Sequence, residues 1–269
     1  MNIASNGIKI HIEERGSGSP ALVFLHYWGG SSRTWDHVVA QLAPGFRTIA
    51  VDQRGWGQSD APTVGYGLAG LADDALGVIQ ALGLDRYILV GHSMGGKVAQ
   101  LIASRRPEGL AGVVLVAPSP PSPMNLPLEV RERMVAAYAS RESIIATVNQ
   151  MLTANGLNSD DLERVIADSL AGAPAAKAAW PLSTSQEDIT SAVGGINKPT
   201  LVISGDLDRV DRIEMLKQEL LPRIPQAQLQ VLAGVGHLSP LEAPMEVAKL
   251  IWDFAHELAN KTESAVSVD

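Results

Sequence analysis

Residues 87–97 read Tyr-Ile-Leu-Val-Gly-His-Ser-Met-Gly-Gly-Lys. Tyr87 to Val90 has the apolar, β-branched character of a buried strand, and Met94 to Arg105 has helical spacing, with Val98, Leu101 and Ile102 on one face. Ser93 therefore stands on a strand-to-helix corner. Glycines at 91 and 95, two residues to either side, remove the Cβ atoms that would obstruct so tight a turn.

Outward from this corner, strand-like runs recur at Ala21 to Leu25, Phe46 to Val51, Gly112 to Val116, Thr200 to Ser204 and Gln228 to Leu232. Segments of helical period lie between most of them: Thr34 to Leu42, Leu68 to Leu82 and Ile213 to Leu221. Such alternation builds βαβ units, a parallel sheet and helices on both faces. Asn6-Gly7 between two short alternating stretches predicts a hairpin, so the sheet begins antiparallel. The fold class expected is α/β, a mostly parallel doubly wound sheet with an antiparallel N-terminal hairpin. From Pro118 to about Gly195 the alternation stops. A proline-rich opening and helical stretches such as Leu128 to Ala139 and Asp160 to Leu170 predict an inserted all-helical cap. The expected organisation is a core of 1–117 and 196–260, a cap of 118–195 and a disordered tail of 261–269.

The net charge of −8 offers no basic surface for phosphates, which argues against nucleic acid. There is no cysteine, so disulfides, thiolate catalysis and thiolate metal sites are excluded. No run of about 18 apolar residues occurs, and Met1 to Gly7 lacks the charged start and long apolar stretch of a secretory signal, so a cytoplasmic protein off the membrane is expected. No His or Glu set has metal-ligand spacing, and no phosphate-binding glycine motif occurs. Neither metal nor organic cofactor is expected; self-association into a homo-oligomer stays open.

Ser93 would project from the carboxyl ends of the strands, where open α/β sheets bind ligands. A serine hydroxyl needs a base and an orienting acid to act as a nucleophile at neutral pH. His237 follows the strand ending at Leu232 on a glycine-loosened loop, at the same sheet edge. His11, His37 and His256 are read as structural or solvated. For the acid, Asp206 and Asp208 compete after the strand Thr200 to Ser204, with Asp211 a distant third. Asp208 is preferred, because a residue beyond the turn can point back across the sheet. Met94, first in its helix, would give a backbone N–H to an oxyanion.

Gly91-His92-Ser93-Met94-Gly95 fits G-x-S-x-G, and the order Ser, Asp, His resembles that of the α/β-hydrolase fold. Asp52 to Ser59 and Gly205 to Asp208 are similar to two further landmarks of that family. The resemblance implies Ser93 as nucleophile, His237 as base and then acid, and Asp208 as the group holding its tautomer. It also implies Trp28 as second oxyanion donor, from a loop that reads His-Gly-x in similar members. Here Tyr27 replaces the glycine, which would strain the loop if positive φ were needed there. Its ring is either a substrate contact or simply packed. Trp180 and Met124, in the insertion, are further candidates for substrate binding, packing being the alternative. The activity expected is serine-dependent hydrolysis of a small carboxylic ester or lactone. A cofactor-free perhydrolase or haloperoxidase-like enzyme, a C–C bond hydrolase and a small-ligand receptor are the competing expectations.

Overall fold

In the computed structural model, which describes residues 1–266 and side chains through Asn260, β1 (Asn2–Ser5) and β2 (Ile8–Arg15) form the expected hairpin, with Ser5 paired to Ile8. Six further strands follow: β3 (Ala21–Leu25), β4 (Thr48–Val51), β5 (Tyr87–His92), β6 (Leu110–Val116), β7 (Thr200–Gly205) and β8 (Ala227–Leu232). They join in one sheet of order β1-β2-β4-β3-β5-β6-β7-β8. β2 pairs antiparallel with β4, and from β4 to β8 every pairing is parallel.

The inner strands are buried on both faces, as continuous apolar runs require. Side chains alternate between two cores. Leu22, Phe24, Ile88 and Val90 face one, with α1 (Asp36–Leu42) and the long α11 (Pro244–Val266). Val23, Leu25 and Leu89 face the other, with α2 (Leu68–Ala81) and α3 (Met94–Ser104). Each such side chain, fully buried, contributes about 1.5–3 kcal/mol of hydrophobic free energy, opposed by the ordering entropy of the chain.

Between β6 and β7 the chain makes only helices: α4 (Leu128–Ala136), α5 (Arg141–Thr147), α6 (Ser159–Ala171), α7 (Pro174–Leu182) and the short α8 (Thr190–Val193). Asn158 caps α6, its Oδ1 accepting from the Asp161 N–H at 2.9 Å. α9 (Ile213–Glu219) and α10 (Ser239–Glu242) complete the set. The helix expected from Thr34 starts as a 3₁₀ turn, Ser32–Trp35, because the Ser31 side chain caps the Arg33 N–H and tightens the entry. The tail expected at 261–269 falls outside the described residues, save for the backbone of 261–266 at the end of α11. Among the described residues no helix is long and apolar enough to cross a membrane.

The strand order reverses at β3, which has β4 on one side and β5 on the other. At such a switch point the loops leaving neighbouring strands part and open a crevice. The loop after β3, residues 26–31, and the corner after β5, residue 93, therefore border the same crevice.

Candidate active site

Ser93 has φ 53° and ψ −114°, a strained conformation for a residue with a Cβ, and α3 starts directly after it. Several bonds hold it there. Its N–H donates to Val116 O at the end of β6 at 3.1 Å, and its carbonyl accepts from the Lys97 and Ser119 N–H groups at 3.1 and 3.2 Å. A Cβ on Gly95 would run into the carbonyl oxygens of Leu25 and His26, so only glycine lets α3 approach β3 this closely.

His237 lies on the loop after β8 and is 2% exposed. Its Nδ1–H donates to Asp208 Oδ2 at 2.9 Å. Asp208 Oδ1 accepts from the Val210 and Asp211 N–H groups at 2.8 and 3.1 Å. An ionised carboxylate only accepts, so this pairing puts the proton on Nδ1 and leaves Nε2 free to take one. Burial pushes the imidazole pKa down, but the Asp208 charge and hydrogen bond, with the charges of Asp211 and Glu242, outweigh it and leave the group above its ordinary value. Asp206 does something else. Its Oδ1 accepts from the Gly234 N–H at 2.6 Å, shaping the loop that carries His237.

His92, beside Ser93 in the chain, carries no sequence signal for a role of its own. Its Nε2–H donates to the backbone carbonyl of His237 at 2.8 Å, and the two rings lie 5.3 Å apart. Ser93 and His237 thus share one rim of the sheet. Burial holds the His92 pKa well below its ordinary value, so the ring is neutral and serves as a fixed donor. Glu242 also gave no sequence signal. It accepts from the Gly236 N–H at 3.1 Å and the Ala154 N–H at 2.7 Å, tying the His237 loop to the helical insertion.

The loop after β3 is equally well bonded. His26 is fully buried; its Nδ1–H donates to Tyr27 O at 2.7 Å and its Nε2 accepts from the Gln53 N–H at 3.0 Å. Gly30 N–H also donates to Tyr27 O, at 3.1 Å. With the Tyr27 carbonyl held from two sides, the trans peptide aims the Trp28 N–H the opposite way. Strain at Tyr27 is absent: the positive φ of this loop, 101°, belongs to Gly29. The Tyr27 ring is 2% exposed and packs 5.2 Å from His92. Trp28 bonds to the helical insertion at both ends, its Nε1–H donating to Lys177 O at 3.2 Å and its carbonyl accepting from Tyr138 Oη at 2.9 Å.

Met94, at the first position of α3, is 3% exposed and, as in any helix, its N–H has no partner within the helix. Its side chain borders a cavity of about 10 Å³, large enough for one water, together with Trp56, Tyr66 and Arg54. Trp180 on α7 also lines this cavity, and the hydroxyl of Tyr66, another lining residue, is buried without a partner. Met124 is half-buried elsewhere in the insertion, with its N–H donating to Ser185 O at 3.0 Å. Among the described residues no group of three or more His, Cys, Asp or Glu is arranged to hold a metal ion.

A serine on a tight corner, an imidazole aligned by a carboxylate and backbone N–H groups at the start of a helix are chemically able to carry out covalent acyl transfer. Known proteins resemble the chain over nearly its full length. It is 30% identical over 250 residues to a non-heme haloperoxidase from Rhodococcus erythropolis, covering 87% of this chain and 91% of the relative. A thermophilic esterase from Thermogutta terrifontis, solved with malate bound, superposes with a TM-score of 0.81 at 26% identity, over 96% of this chain and 98% of the other. Est816, described as an N-acyl homoserine lactone degrading enzyme, gives 0.81 at 27% identity over 94% and 100%. The profile of the alpha/beta hydrolase family matches residues 22–250. The chain belongs to that family.

Proposed function

We propose that the protein hydrolyses small carboxylic esters or lactones through an acyl-enzyme on Ser93. The observation that carries this is the 2.9 Å bond from His237 Nδ1–H to a carboxylate whose other oxygen is held by two backbone donors, on the rim that bears Ser93. Ser93 Oγ attacks the carbonyl carbon while His237 Nε2 takes its proton. The tetrahedral oxyanion is met by the Met94 and Trp28 N–H groups, each worth roughly 3 kcal/mol of transition-state stabilisation. The C–O bond to the alcohol then breaks, and the alcohol leaves with the proton from His237. Water attacks the acyl-enzyme with His237 as base, and the carboxylic acid departs as Ser93 recovers its proton. No metal or organic cofactor enters this cycle.

Helices α4–α8 act as a cap, with Trp180 and Met124 setting which acyl and alcohol groups fit and the Tyr27 ring packing against His92. We read the enzyme as cytoplasmic, acting on small molecules and not on nucleic acid or membrane. The test is a panel of p-nitrophenyl esters and acyl-lactones against wild type and Ser93→Ala, with a phosphonate ester to label the nucleophile. Turnover lost in Ser93→Ala and a phosphonyl group on Ser93 are expected; activity that survives the substitution refutes the proposal.

The haloperoxidase relative favours one variation, in which hydrogen peroxide replaces water at the acyl-enzyme and yields a peracid. Bromination of monochlorodimedone that needs acetate, peroxide and Ser93 together would identify it.

A further inference from the structure

The loop after β7 carries another buried carboxylate. Asp211 is 2% exposed, its Oδ2 accepts from Ser119 Oγ at 3.1 Å, and its N–H donates to Asp208 Oδ1 at 3.1 Å. Ser119 is itself fixed: its N–H donates to Ser93 O at 3.2 Å and its carbonyl accepts from Gln100 Nε2 at 2.8 Å. A bonded path therefore runs from the backbone of Ser93 through Ser119 to Asp211, then through Asp208 to the imidazole. The groups facing Asp211 come from four elements. They are His237 after β8, Asp208 on its own loop, Ser119 after β6 and Lys97 on α3. The Lys97 ammonium hydrogen-bonds to Ser122 O and Ser185 O, at 2.9 and 3.4 Å.

A buried carboxyl is costly to ionise and is a poor choice for packing alone. Burial pushes Asp211 up to about 7, with Asp208 adding to the rise and His237, Ser119 and Lys97 opposing it. In return the Asp211 charge helps hold His237 above its ordinary value. The facing charge that would change during turnover is that of His237.

Resting on the hydrolase reading above, we infer that Asp211 is a second positioning carboxylate for His237, adding to Asp208 in stabilising the imidazolium and supporting it when the Asp208 carboxylate is removed. In the Asp211→Asn protein the amide oxygen still accepts from Ser119, so packing is kept while the charge is lost. The imidazolium is then less favoured, and the imidazole loses its proton at lower pH.

The experiment compares wild type, Asp211→Asn, Asp208→Ala and the double variant on p-nitrophenyl acetate from pH 5 to 9. It also follows the pH dependence of phosphonate labelling of Ser93. In Asp211→Asn the acid limb is expected to move toward acid by about half a pH unit or more, with kcat down about threefold to tenfold. In the Asp208→Ala background the same change should cost at least about tenfold more than it does in wild type. Ser119→Ala, which removes the hydroxyl that favours the Asp211 anion, should move the limb the same way by a smaller amount and serves if Asp211→Asn does not fold. An unmoved acid limb in a folded variant, or an equal loss in both backgrounds, overturns the inference. Failure of wild-type Ser93 to be labelled overturns the hydrolase reading itself, so the two failures are distinct.

Discussion

Exchanging Asp208 for Asn should do more than weaken one hydrogen bond. The two oxygens of this carboxylate have unlike surroundings: Oδ1 receives the N–H groups of Val210 and Asp211, and Oδ2 receives Nδ1–H of His237. An amide NH₂ cannot sit where two donors already point, so the Asn oxygen must take the Oδ1 place and the NH₂ must face the imidazole. Nδ1 is then forced to accept, the ring proton moves to Nε2, and the nitrogen that should take the proton of Ser93 is blocked. A wrong tautomer with intact packing costs about 10⁴ in kcat in the best-studied serine triad, so a loss of roughly 10³–10⁴ is expected here, about 4–5.5 kcal/mol of transition-state stabilisation. Asp206→Asn provides the control, because an amide oxygen can still accept from the Gly234 N–H. It should keep kcat within about fivefold of wild type. Initial rates on p-nitrophenyl acetate, normalised to Ser93 titrated with phosphonate, decide the matter. An Asp208→Asn enzyme that keeps a tenth of wild-type kcat, or an Asp206→Asn enzyme that falls further, refutes the reasoning.

Three further outcomes are expected. The acid limb of kcat/KM should lie above the ordinary histidine value near 6.5, because the Asp208, Asp211 and Glu242 charges prevail over burial at His237; activity rises with pH through this limb as the imidazole loses its proton, and a pH–rate profile locates it. Tyr138→Phe removes the hydroxyl that donates to Trp28 O and should lower kcat about threefold to tenfold with KM little changed, together with about 1 kcal/mol of stability in denaturant titration. Arg54→Ala should leave the buried Asp74 carboxylate without the guanidinium that donates to both its oxygens, at about 3 kcal/mol and a Tm fall of roughly 6–10 °C by calorimetry; Asp74→Asn in the same background should recover part of the loss.

The architecture was readable because its signals are local. β3 follows the apolar run at its expected bounds, and the Gly91 to Gly95 corner announces itself by residue type. The competition between Asp206 and Asp208 turned on which side chain reaches back, and the bonds to Gly234 and His237 separate the two. Tyr27 shows where reading by analogy misleads: the backbone requirement sits two positions later, at Gly29, so a bulky residue at 27 costs nothing in φ. His92 and Glu242 escaped, and Asp211 stood only as a distant third candidate for the acid, because contacts that define their surroundings, with His237, Ala154 and Ser119 respectively, are remote in the chain. The His92 to His237 carbonyl bond spans 145 positions, and no periodicity or motif encodes a contact of that range.

The bonds between the loop after β3 and helices α6 and α7 carry a practical consequence. Besides the Trp28 contacts, Ser169 Oγ donates to Gly29 O at 2.9 Å and Ser31 Oγ donates to Asp168 at 2.8 Å. The helical insertion is therefore part of the scaffold that fixes the Trp28 amide. Grafting a foreign lid onto this core to change substrate range would also slacken that amide and slow turnover. A chimaera that transplants residues 26–31 together with the lid would keep scaffold and amide matched, and is the better starting point for engineering.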